Sequence, residues 1–177
     1  FFEPKILWPD LTQRPRWSWD DKGKFVGNTG FFIAPAEPWL LAVLQSRATW
    51  FALGGVAQPL GERLGLTRYR LFTQFTERLP IPTMTDDDKA QLGALAMRAT
   101  TLANDRYTID RKTFARIHED LLGKDETAGR KLTEWWTLAF ADLRAELEKR
   151  GGSISVKERG EWQAYLTEQR AEHDRLT

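Results

Sequence analysis

The sequence predicts an α/β chain of the α+β kind: a small mixed sheet packed on one helix, followed by an all-helical C-terminal part. Three observations carry this. Residues 1–36 hold short β-branched and aromatic runs separated by turn residues. From Pro38 to Leu53, Leu40, Leu41, Leu44, Ala48, Phe51 and Ala52 recur at three- and four-residue spacing. Beyond Thr85 the chain keeps a helical period, interrupted only by glycines. The boundary implied is at Pro82, giving a strand-bearing segment 1–83 and a helical segment 84–177.

Taken in order, Lys5-Ile6-Leu7-Trp8 is a strand ended by Pro9-Asp10. Arg16–Asp20 alternates so that Trp17 and Trp19 share one strand face. Asp21-Lys22-Gly23-Lys24 is a hairpin-turn signal, with Phe25-Val26 and Gly30–Ala34 as strands on either side of Gly27-Asn28-Thr29. Pro38 opens the central helix and Gly54-Gly55 stop it. A Gly- and Arg-rich loop leads into a β-leaning run, Tyr69–Phe75, and then into Leu79-Pro80-Ile81-Pro82, whose two prolines enforce an extended exit. Thr85 is an N-cap, with Asp86, Asp87 and Asp88 matched to the helix dipole. The helix it starts carries Leu92, Leu95, Ala96, Ala99, Leu102 and Ala103 as one stripe. A second piece spans Asp110–Leu122, and a third helix spans Thr127–Lys149. The last stretch, Lys157–Leu176, is polar, with Trp162, Tyr165, Leu166 and Leu176 as its apolar positions, and is expected to need a partner surface.

Composition bounds the function. The chain has 177 residues, 41% hydrophobic, with eight tryptophans, enough for a sizeable core. Net charge is +1, so the total names no partner. Residues 1–82 nevertheless hold ten Lys and Arg against seven Asp and Glu, and residues 83–177 hold sixteen against eighteen. The basic excess lies with the aromatics and loops, which points toward a polyanion. Absence of cysteine excludes disulfide and thiol chemistry and fits a reducing, cytoplasmic setting. No apolar run approaches the ~20 residues that span a bilayer. The chain opens on Phe1 without an initiator Met or a signal-peptide pattern, and is expected to be a piece of a longer protein.

Four short motifs then fall in a recognisable order: Glu3-Pro4-Lys5-Ile6, the Thr29–Ala34 strand, the Leu40–Ser46 helix segment, and the arginine-bearing loop running into Leu79–Pro82. The pattern, over roughly residues 3–105, resembles the C-terminal target-recognition domain of adenine-specific DNA methyltransferases of restriction-modification systems. These are the Taq-type and fused type II restriction-methylation enzymes, and the domain is similar to half of a type I specificity subunit. Gln45 departs from that pattern, which has Asn there. The resemblance implies sequence-specific binding of double-stranded DNA, with loops reaching base edges. The residues placed to do so are Lys22, Lys24, Asn28, Arg63, Arg68, Arg70 and Gln74. It also implies that the methyltransferase domain and its S-adenosylmethionine lie upstream of this chain.

The catalytic chemistry itself is not in the sequence. There is no Pro-Pro pair to build the loop that holds a target amine, and no Gly-x-Gly for the cofactor. Pro9-Asp10 with Asp20-Asp21-Lys22 fits a loose Mg²⁺-nuclease spacing; turn chemistry explains the same residues. Asp86-Asp87-Asp88 diverge around a helix and serve as its N-terminal charge. His118 and His173 have no i, i+4 partner, so no metal site is expected. Gly61-x-x-x-Gly65 lies in a polar loop, and Trp135-Trp136 cannot both face one core. The reading is therefore a DNA-recognition module without catalytic residues of its own. The alternative is a helical assembly module of a restriction or phage-defence complex.

Overall fold

The structure is a computed structural model and describes residues 2–123 and 127–177. Residues 124–126 of the expected helical segment lie outside the described residues. In chain order come β1 (Lys5–Pro9), β2 (Leu11–Thr12), β3 (Ser18–Asp20), β4 (Gly30–Ile33), α1 (Pro38–Gln45), α2 (Arg47–Val56), β5 (Gln58–Arg63), β6 (Leu66–Arg70) and α3 (Thr73–Thr76). Then follow α4 (Asp86–Leu121), α5 (Arg130–Thr133), a 3-10 turn (Trp135–Thr137), α6 (Phe140–Glu148) and α7 (Arg159–Arg175). The chain divides into two compact units, Phe1–Thr100 and Thr101–Thr177. The division falls inside α4 and not at Pro82; Ala96 of α4 belongs to the core of the first unit.

The α+β class is what the structure has, but the strands form two antiparallel sheets in place of one mixed sheet. The first has the order β3-β1-β4 and the second β2-β6-β5. Asp10 is the joint between them. Its N–H donates to the Thr29 carbonyl at 2.9 Å and its carbonyl accepts the Leu71 N–H at 2.7 Å, one bond toward each sheet. The Trp8 indole N–H, donating to the Leu71 carbonyl at 2.7 Å, adds a second stitch. Pro9 lacks an N–H to continue the ladder, and the run changes sheet just after it.

β1 lies between β3 and β4, which explains why Phe25-Val26 form no strand. Lys5 pairs with Asp20 and Pro9 with Gly30, so residues 21–29 must travel the length of β1 to reach β4. The expected hairpin is replaced by a turn built on Asp20. Its carboxylate accepts the backbone N–H of Lys22 at 3.1 Å and of Lys24 at 2.8 Å. The same carboxylate meets the fully buried Lys5 ammonium at 2.8 Å. Burial alone would raise the Asp20 carboxyl; Lys5 and the two N–H groups outweigh it and hold it below the usual carboxylate range.

The central helix is two helices. Ser46 leaves the helical region at φ −67°, ψ 154°, and its hydroxyl caps α2 by accepting the Thr49 N–H at 3.1 Å. The Thr49 hydroxyl in turn donates at 2.6 Å to the Val43 carbonyl, which also accepts the Ser46 N–H at 3.1 Å. Gly54 and Gly55 do not stop α2, which runs on to Val56. Around these helices Ile6, Trp8, Trp17, Leu41, Leu44, Leu53 and Leu71 form the first core.

The loop expected before Tyr69 is the β5–β6 hairpin. Leu64 and Gly65 join its strands at φ 55° and 73°, both left-handed as a type I′ turn requires. Gly61, φ 69°, takes a bulge where the register shifts between Pro59 and Glu62. The β-leaning run then ends at Arg70, and α3 replaces its second half.

Thr85 and Asp88 form a reciprocal cap at the start of α4. The Thr85 hydroxyl accepts the Asp88 N–H at 3.2 Å, and the Asp88 carboxylate accepts the Thr85 hydroxyl at 2.7 Å. The two helix pieces expected after it are one 36-residue helix, because no Gly or Pro separates them. Its stripe is partial: Ala96 is buried, while Leu95 is 60% exposed. The expected third helix is instead α5, the 3-10 turn and α6, with Trp135 fully buried at the break. α7 needs no outside surface for Trp162 and Leu166. They join Ile117, Leu132, Trp135, Leu143 and Leu147 in the core of the second unit.

Candidate nucleic-acid interface

Side chains alternate across a strand, so one buried residue assigns both faces of a sheet. In the second sheet Thr12 stands opposite Tyr69. Thr12 is buried and Tyr69 meets Trp50 edge-on at 5.7 Å, which makes theirs the core side. Leu66, Arg68 and Arg70 occupy the other side. Cross-strand partners share a face, so Arg63, opposite Leu66, and Gln58, opposite Arg70, join them. The bulge at Leu60-Gly61 is what keeps Arg63 and Gln58 in step. Glu62, the acidic residue of this hairpin, pairs with Thr67 and lies on the core side.

The outer face thus carries three arginines and no carboxylate of its own. Arg63, Arg68 and Arg70 make no ion pair among the described residues. Arg70 lies over the Phe72 ring at 5.0 Å, a cation–π contact that orients it. Arg68 is half-buried and its Nε has no hydrogen-bond partner. The hairpin is braced from β2's side: the Gln13 amide donates to the carbonyls of Arg63 at 2.6 Å and Leu66 at 2.8 Å.

The other residues singled out from the sequence fall elsewhere. Lys22 and Lys24 are exposed beside Asp20, at the Lys5 end of the β1–β2 run, while Arg63 lies beyond its Thr12 end. Asn28 is exposed next to Thr29, and Arg70 precedes Leu71, so these two flank the Asp10 joint. Gln74 is exposed on α3. Sequence reasoning missed β5 and with it Gln58. The signal was Leu64-Gly65, a two-residue turn ending in Gly between two strand-length runs.

Asp20 is committed to Lys5 and lies at the opposite end of β1 from Asp10, so the two do not share a cation. In the second unit, buried His173 places Nε2 3.6 Å from Asp110 and Nδ1 3.2 Å from Asp174, with its ring stacked on Trp136 at 5.0 Å. Burial pushes the Asp110 carboxyl up against the opposing charges of His173 and Arg106. The Trp135 indole N–H donates to the Asp110 carbonyl at 3.3 Å, which makes the cluster a helix-packing contact. Among the described residues no group of three His, Cys, Asp or Glu could hold a metal ion, and no helix is long and apolar enough to cross a membrane.

No curated protein and no solved structure matches the chain. One family does, and its match begins at Thr85, the N-cap of α4. It runs through residues 85–177, more than half of the sequence, so the chain belongs to the family described as "Domain of unknown function (DUF8810)".

Proposed function

We propose that the chain recognises double-stranded DNA through the outer face of the β2-β6-β5 sheet. The observation that carries this is the grouping of Arg63, Arg68 and Arg70 on one outer sheet face without a carboxylate among them. A two-stranded ribbon fits the major groove, and arginine is the natural reader of guanine edges there. Arginines that bind phosphate supply affinity; those that reach a base supply specificity. Lys22, Lys24, Asn28 and Gln74 are assigned supporting contacts. The parent is read as a site-specific adenine methyltransferase of a restriction-modification system, with S-adenosylmethionine held by a domain beyond this chain. This chain is read as cytoplasmic and as catalysing nothing itself.

Fluorescence anisotropy with a labelled mixed-sequence duplex tests the reading. The wild-type chain is expected to bind in the nonspecific range of ~10⁻⁴–10⁻⁶ M. The combined variant R63A/R68A/R70A is expected to bind more weakly while keeping its circular-dichroism spectrum. Equal binding by both proteins would remove the arginine face from the account.

A second reading, an assembly module, draws on the family match, which covers the helical part and omits the arginine face. Tyr107, 62% exposed on α4, is the side chain it would use. Absence of duplex binding by the wild-type chain would favour it.

A further inference from the structure

The tip of the β5–β6 hairpin is built against local preference. A type I′ turn places both central residues in the left-handed region, where Asn, Asp and Gly sit at least cost. The second position is Gly65, as expected; the first is Leu64, at φ 55°. Nothing in the fold accounts for the choice by packing, since Leu64 is 77% exposed. The turn is nonetheless held, not loose. Gln13 bonds both residues that flank it, Arg63 and Leu66, and the Gly61 bulge sets the strand leading into it. A large apolar side chain is therefore presented on a braced tip, directly beside Arg63 and at the end of the arginine face.

Strain retained at an exposed position points to a use there. Minor-groove proteins that deform duplex DNA place an apolar side chain between base steps beside Arg and Lys; a ribbon tip beside the major groove presents the same kind of side chain to the stack. We propose that Leu64 is such a wedge: when the arginine face binds a duplex, Leu64 enters the base stack and unstacks one step. This rests on the DNA-recognition reading above and adds a residue and a deformation to it. An opened step also lowers the cost of extruding a neighbouring base.

The test separates the two claims. A short mixed-sequence duplex carrying 2-aminopurine at successive positions is titrated with the full chain at low salt, with anisotropy and 2-aminopurine fluorescence read together. The wild type is expected to bind and to raise the fluorescence at saturation. L64N, whose side chain suits the left-handed turn, is expected to melt no lower than wild type and to bind, yet to leave the fluorescence at its free-duplex level. L64M, which keeps an apolar wedge, is expected to retain the rise. If the wild type binds without a rise, or L64N gives the same rise, Leu64 is not a wedge, and the arginine reading stands. If the wild type does not bind, both fail.

Discussion

The sheet-bearing unit and the helical unit differ in how far their surface cations are paired. In residues 101–177 seven surface cations among the described residues meet a carboxylate. Glu146 gathers Lys131 at 3.1 Å, Lys149 at 2.7 Å and Arg150 at 3.6 Å. Arg116–Asp120, Arg130–Glu134, Arg144–Glu148 and Arg175–Glu172 repeat the pattern at helical spacing. In the sheet-bearing unit the pair Lys5–Asp20 is sealed inside, and the arginines of the outer face have no carboxylate beside them. Cations already paired have little left to offer a polyanion. Those left unanswered on the braced outer face of β5 and β6 do, and this grouping supports the nucleic-acid surface proposed there.

The comparison breaks most visibly at the buried pair. Asp20→Ala leaves the Lys5 ammonium in the core without this carboxylate and is expected to cost ~3–5 kcal/mol in urea unfolding. A loss under about 1 kcal/mol would mean the pair is solvated, like the surface pairs of the helical unit. Acid sharpens the same contrast. The folded Asp20 carboxyl is held below its usual range, so its contribution is present above the unfolded carboxylate value and is lost as pH falls through the folded value. Glu146 carries the same sign, through hydrogen bonds from Lys149 and then Lys131 that outweigh its burial. Stability of wild type should therefore fall on acidification, and Asp20→Ala should flatten that fall. A slope unchanged in the variant would assign the acid sensitivity to other carboxylates.

The two cores come next. Leu44, 3% exposed, belongs to one cluster and Trp135, fully buried, to the other. Leu44→Ala is expected to cost ~2–5 kcal/mol and Trp135→Ala ~3–5 kcal/mol, by lost transfer energy and the cavity left behind. Hydrogen exchange should report the lost protection in residues 1–100 for the first and in residues 101–177 for the second. Uniform loss in both variants would show that the units open together. The smallest effect is at the cap. Thr85→Ala removes the acceptor for the Asp88 N–H and is expected to cost ~1 kcal/mol; no change in thermal melting would mean water replaces the cap.

What the sequence reveals follows from range of interaction. β1, β3, β4, the Thr85 cap and α7 are legible because each is set by neighbours within a few residues. The break at Ser46 is an exception: its cap is just as local, but the apolar period runs on through Ala48, Phe51 and Ala52 and hides it. β5 hides because Pro59, Gly61, Glu62 and Arg63 give it neither alternation nor apolar content; pairing with β6 creates it. The same holds for the site. Arg63, Arg68 and Arg70 can be named from the sequence. That they share a face depends on the turn length and on the one-residue bulge, and both are properties of the register.

The salt dependence of duplex binding tests the central claim most directly. Each phosphate neutralised contributes about 0.9 to the slope of log Kobs against log salt. The wild-type chain should show a steep negative slope, and R63A/R68A/R70A should flatten it by roughly two to three units, one for each arginine on a phosphate. K22A/K24A, at the other end of the β1–β2 run, should flatten it less. Equal slopes for wild type and the arginine variant would contradict the account, since the outer face of β5 and β6 would then carry none of the contact with DNA.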